Sequence, residues 1–136
     1  MTGKAKDEAA KPLAFFRHDT DASLDVSIQI LLDELGMEGY GRWWRLLEFL
    51  AYSDEHKANV QDPRICRILA KALMCDEAAD LFGFLGYLAE LDLIVMQDDG
   101  WVFSRRLNSD AERVAKLRVN GAKGGRPKTK QVNQAG

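Results

Sequence analysis

Histidine and cysteine are scarce in this 136-residue chain, with two of each, and proline occurs only three times. Cys66 and Cys75 have no paired C-x-x-C spacing, which excludes a disulfide scaffold or a zinc site and leaves both as buried, reduced thiols. Neither His18 nor His56 has a second histidine or a cysteine at ligand spacing. No glycine-rich loop ends in Lys-Ser or Lys-Thr, and Gly124-Gly125-Arg126 follows no strand, so nucleotide binding has no motif to rest on. Asp19, Asp21 and Asp25 lack the later glutamate of a calcium loop and read as caps and solvated turns. His18 beside Asp19 reads as a hydrogen-bonding structural pair. No apolar run approaches the roughly 20 residues of a membrane span. The first 12 residues have lysines but no apolar core behind them, unlike a signal peptide. The expectation is a cytoplasmic, non-enzymatic protein with no cofactor, no metal and no membrane partner.

What is present is an uneven charge. The formal net charge is −2, but residues 113–136 hold seven of the 19 basic residues and none of the 21 acidic ones. The remaining 12 basic residues face all 21 acidic ones, a balance of −9. An acidic body therefore carries a basic end, and the two would meet a polyanion differently.

The chain length suits one domain with one core. Residues 1–12 read as a flexible leader, residues 13–120 as the folded domain and residues 121–136 as a disordered basic tail. Leu13-Ala14-Phe15-Phe16 is an apolar patch fit for a strand or a clip onto the core. Asp25 is a candidate N-cap for a helix with Ile28, Leu31, Leu32 and Leu35 at helical spacing, which Gly36 would end in the left-handed conformation. Trp43, Trp44, Leu46, Leu47, Phe49 and Leu50 make the next helix the centre of the core. Residues 53–59 read as a loop, with Val60 able to pair as a short strand. Asp62-Pro63 opens a helix burying Ile65, Ile68, Leu69, Ala72 and Leu73. Met74-Cys75 is a turn, and Asp76 would cap a helix reaching Glu90. Leu93-Ile94-Val95-Met96 and Trp101-Val102-Phe103 flank Asp-Gly, a hairpin signal. A last helix runs from about Asn108 to Val119. This order gives a mainly α fold with a small β-hairpin wing, a winged helix-turn-helix, with the motif at 62–74 and 76–90 and the wing at 97–100.

Several of these residues also carry a family resemblance. Phe15-Phe16-Arg17-His18-Asp19, Asp25, Gly36-Met37-Glu38-Gly39-Tyr40-Gly41, Trp44 and Glu48 together resemble the N-terminal domain of phage replisome-organiser proteins. They are also similar to a related domain of unknown function in bacterial and prophage replication-like proteins. Asp98, Gly100, Phe103, Ser104, Arg106 and Leu107 fit the same pattern, as do Gly121, Lys123, Gly124, Gly125 and Arg126. The resemblance covers about residues 15–126. It implies a winged-helix fold and DNA binding in replication initiation, typically at a phage origin.

DNA binding needs cations aimed at phosphates and donors aimed at base edges. The second helix of such a motif normally enters the major groove. Here that helix has no lysine, arginine, asparagine or glutamine, and its carboxylates would repel phosphate. Its apolar residues Leu81, Phe82, Phe84, Leu85, Tyr87 and Leu88 read instead as a face for a partner protein or a second copy. Arg64, Arg67 and Lys71 form one stripe on the preceding helix, either a solvated face or a phosphate ridge. Arg42 and Arg45 could join a basic surface or pair with nearby glutamates. Arg105, Arg106, Arg113, Lys116, Arg118, Lys123, Arg126, Lys128 and Lys130 leave the wing as a cationic series able to lie along duplex DNA without reading sequence. Two functions stand beside each other. One is a DNA-binding protein of phage or prophage type, acting in replication initiation or its control. The other is a protein-interaction module serving dimerisation or a replication partner.

Overall fold

The computed structural model describes residues 3–13 and 25–124. The motif positions Phe15, Phe16, His18 and Asp19, and the tail residues Arg126, Lys128 and Lys130, lie outside them. The expected flexible leader instead holds helix α1 (Gly3–Ala10), whose Ala5 is buried. It packs along the last helix, α5 (Arg105–Gly124). An alanine-rich segment offers no large apolar stripe to read, but small side chains let two helices lie close. Leu13 then clips to the body, its N–H donating to the Ala51 carbonyl at 2.8 Å.

Asp25 starts helix α2 (Val26–Tyr52) by accepting the Ser27 N–H at 2.9 Å, which satisfies a donor with no partner inside the helix. Gly36 breaks the helix, as its type suggests, but not in the left-handed conformation. At φ 68° and ψ −163° it adopts an extended mirror region open in practice to glycine alone, and the helix resumes immediately. The second half of α2 supplies Trp43, Leu46, Leu47 and Leu50, all 2 % exposed or less. Leu35, expected inside, is exposed.

A short 3-10 turn (Asp54–His56) leads into β1 (Lys57–Asn59), so part of the expected loop is strand. Val60 lies just past it, its N–H donating to the Gly100 carbonyl at 2.9 Å. The hairpin strands β2 (Val95–Met96) and β3 (Trp101–Phe103) complete an antiparallel sheet in the order β1-β3-β2, with Ala58 opposite Val102. Gly100 has φ 97°, and a Cβ there would come within 2.5 Å of Asn59 Oδ1. Asn59 and Gln61 donate their amide N–H groups to the Asp99 and Asp98 carbonyls, tying the hairpin turn to β1.

Asp62 caps α3 (Pro63–Ala72) by accepting the Arg64 N–H at 2.9 Å, with proline in the first turn where no donor is missed. Cys66, Leu69, Ala70 and Leu73 face inward, whereas Ile68, expected inside, is 56 % exposed. Helix α4 (Ala78–Glu90) starts one residue later than expected. Glu77 occupies the cap and donates its N–H to the Asp80 carboxylate at 3.2 Å. Ser104 begins α5 by accepting the Leu107 N–H at 3.1 Å, ahead of the expected start. The helix then continues through Gly121, Ala122, Lys123 and Gly124, which read from sequence as the start of a disordered arm. The protein is thus mainly helical with a three-stranded antiparallel sheet. Among the described residues, no helix is long and apolar enough to cross a membrane.

Candidate nucleic-acid interface

The α3 stripe forms as its spacing requires. Arg64, Arg67 and Lys71 are all exposed, on the side away from Cys66, Leu69 and Ala70. Arg67 and Lys71 share a groove of about 560 Å³ with Pro63, Cys75 and the start of α4. Its far wall carries Asp76 and Glu77, and Arg64 lies 3.8 Å from Asp62, so carboxylates temper this cationic ridge. Burial pushes the Cys75 thiol above its ordinary range, which keeps it protonated and a poor nucleophile.

Arg42 and Arg45 are occupied elsewhere. Arg42 donates to the Leu73 and Met74 carbonyls at 2.9 and 3.1 Å, and Arg45 to the Ala72 carbonyl at 3.2 Å. These carbonyls close α3, where unpaired acceptors and the negative end of the helix dipole favour a guanidinium. Glu38 and Glu48 stand 3.9 and 3.7 Å from the same two arginines. Both side chains hold α2 against α3.

The late arginines fall into two sets. Arg105 pairs with Asp92 at 3.0 Å, and both side chains are largely exposed, so the pair adds little stability and could yield to a phosphate. Arg106 is half-buried with its guanidinium carbon 5.9 and 5.7 Å from the Trp43 and Trp44 ring centroids, a cation–π packing role in the fold. Arg118 turns to α1 and lies 3.4 Å from Glu8. The Glu8 carboxyl is held below its usual range, first by its hydrogen bond from Lys11 and then by Arg118. Arg113 and Lys116 remain exposed on the outer side of α5. Lys123 falls within α5.

The six apolar positions expected to meet a partner do not form such a face. Leu81, Leu85 and Leu88 are fully buried and Phe84 is 7 % exposed, because α4 supplies one wall of the core. Tyr87 is half-buried and donates its hydroxyl to Glu34 at 2.5 Å. Phe82, at 38 %, is the most exposed of the six.

Sequence reasoning missed three features. His56, read as part of a polar loop, is 2 % exposed, with Nε2 against the Ala9 carbonyl, and so joins α1 to the 3-10 turn. Lys57 lies 4.4 Å from the Trp101 ring centroid at the sheet edge. On α5, Ser109, Arg113, Lys116 and Asn120 follow one another at spacings of four, three and four, and all are exposed. That stripe was open to a count along the helix, because such spacings keep residues on one face. No family model matches the chain, and no curated protein or solved structure was found to match it.

Proposed function

We propose that this chain is a DNA-binding protein of winged-helix type that grips duplex DNA through phosphates, in phage or prophage replication initiation or its control. The observation that carries the reading is the α5 stripe. Ser109, Arg113, Lys116 and Asn120 present hydrogen-bond donors, two of them cationic, on one helix face, with the exposed Glu112 at its border. Such a face can follow a phosphate backbone. The order of α2, β1, α3, α4 and the β2–β3 hairpin supports the winged-helix assignment. Helix α4 offers no base-reading side chain, so the binding is without sequence preference at that helix. The role in replication rests on the sequence resemblance alone. The reading is of a binding protein, not a catalyst.

Fluorescence anisotropy of a labelled duplex, titrated at several salt concentrations, tests the proposal. Each phosphate contact adds about 0.9 to the slope of log affinity against log salt. The double substitution Arg113→Ala, Lys116→Ala should therefore lower that slope by about 2 and weaken binding to any duplex sequence alike. An unchanged slope, or no binding by the parent chain at low salt, overturns it. The second reading, a module that docks protein, loses Leu81, Leu85 and Leu88 to the core, but Phe84 and Tyr87 line a groove beside α4 that favours it.

A further inference from the structure

Two adjoining hollows run where α2 faces the end of α3 and the outer side of α4. One, of about 390 Å³, is lined by Glu38, Gly41 and Leu73 among others. The second, of about 590 Å³, is lined by Leu35, Asp76, Asp80 and Gly83 among others. Arg42 and Met74 line both, so the hollows form one trough.

Three properties of this trough point the same way. Its surface is apolar and adaptable. Met74 is 78 % exposed at φ 60°, Leu35 is 41 % exposed, and Met37 stands nearby in sequence at 73 %. Methionine fits many partner shapes. Its floor also has two helical glycines, Gly41 and Gly83, at each of which a Cβ would meet nothing within 4 Å. A glycine inside a helix costs about 1 kcal/mol relative to alanine. The fold itself makes no steric demand for either, whereas close approach by another backbone would. Finally, the rim is anionic. Glu38, Asp76 and Asp80 border it, and Glu34 stands behind Tyr87. The arginines at the trough direct their donors to the carbonyls that end α3.

We propose that this trough docks a basic amphipathic helix of a partner protein. Apolar side chains of that helix lie over Leu35, Met74 and the gap at Gly83, while its lysines or arginines meet Asp76, Asp80 and Glu38. Charge disfavours the other occupants, because Arg42 and Arg45, which also line the trough, spend their donors on the carbonyls that end α3. A second copy docked by the same face would set carboxylates against carboxylates, and nucleic acid would be repelled. The inference does not depend on the DNA reading, which uses α3 and α5.

The test uses the full chain and a labelled 18-residue peptide of leucine and lysine in amphipathic helical order. Controls are the same peptide with glutamate for lysine and a scrambled peptide of equal charge. The ordered basic peptide should bind, and both controls should bind at least about tenfold more weakly. Gly83→Leu should weaken binding about tenfold while raising the melting temperature, because it fills the trough yet improves the helix. Met74→Glu and Asp76→Lys, both at exposed positions, should weaken binding by similar factors. Arg113→Ala with Lys116→Ala should leave it unchanged. Equal binding of ordered and scrambled peptides would reduce the effect to net charge and overturn the proposal. So would Gly83→Leu binding as the parent does, or a dimer of the parent chain that Met74→Glu dissolves.

Discussion

Helices α3 and α4 are neighbours in chain and space, yet they divide the work between them. Helix α3 buries small residues, Cys66 and Ala70, beside Leu69, and turns Arg64, Arg67 and Lys71 to water. Helix α4 buries Leu81, Phe84, Leu85 and Leu88 and shows carboxylates and glycines outside. In a DNA-reading pair the second helix would carry the donors. Here the charge distribution is reversed: the cations lie on α3, and the outward side of α4 carries none. A helix's position in a motif sets where it sits; its outward residues set what it can touch.

The comparison breaks most readily in the core. Leu85→Ala removes a fully buried side chain and should cost about 2–5 kcal/mol in urea denaturation, whereas Ile68→Ala on exposed α3 surface should change stability by about 0.5 kcal/mol or less. Equal losses would show that α4 is not the core helix of the two. A smaller effect sharpens the account of α3. Asp62→Ala frees the Arg64 N–H at the helix start and should cost about 1 kcal/mol, read as a lower melting temperature with the circular dichroism of the folded state preserved.

How much of this was open to sequence reasoning depended on how locally each feature is encoded. The Asp25 and Asp62 caps and the hairpin around Gly100 each follow from two to four adjacent residues, and each forms where expected. Burial phase was less accessible. Ile68 outranks Cys66 and Ala70 in hydrophobicity, but small residues let α3 lie close to its neighbours, and that depends on packing unseen in one helix. Helix α1 was missed for a related reason, since it packs on α5, far along the chain. The candidate site divides in the same way. The α3 stripe needed only helical spacing, and it formed. Arg105, Arg106 and Arg118 all look alike in sequence, yet Asp92, a tryptophan pair and Glu8 give them different environments. Those partners lie 13 to 110 positions away, or across the core, beyond the reach of local patterns.

The smallest expected effect concerns the outer edge of α4. Tyr87 has its ionisation pushed up to about 12, first by loss of surrounding water and then by Glu34, which accepts a hydrogen bond from its hydroxyl and opposes a second negative charge. The unfolded chain releases a tyrosine proton near pH ~10. Between about pH 10 and about 12 the native state therefore keeps a proton that the unfolded state has lost. The contribution of this hydroxyl is complete below pH ~10 and fades as pH rises through that window. Tyr87→Phe removes it, so the parent's denaturation midpoint should fall more steeply with pH than the variant's above pH ~10. Parallel curves would mean that the phenol titrates freely, and that α2 and α4 are joined here by packing alone.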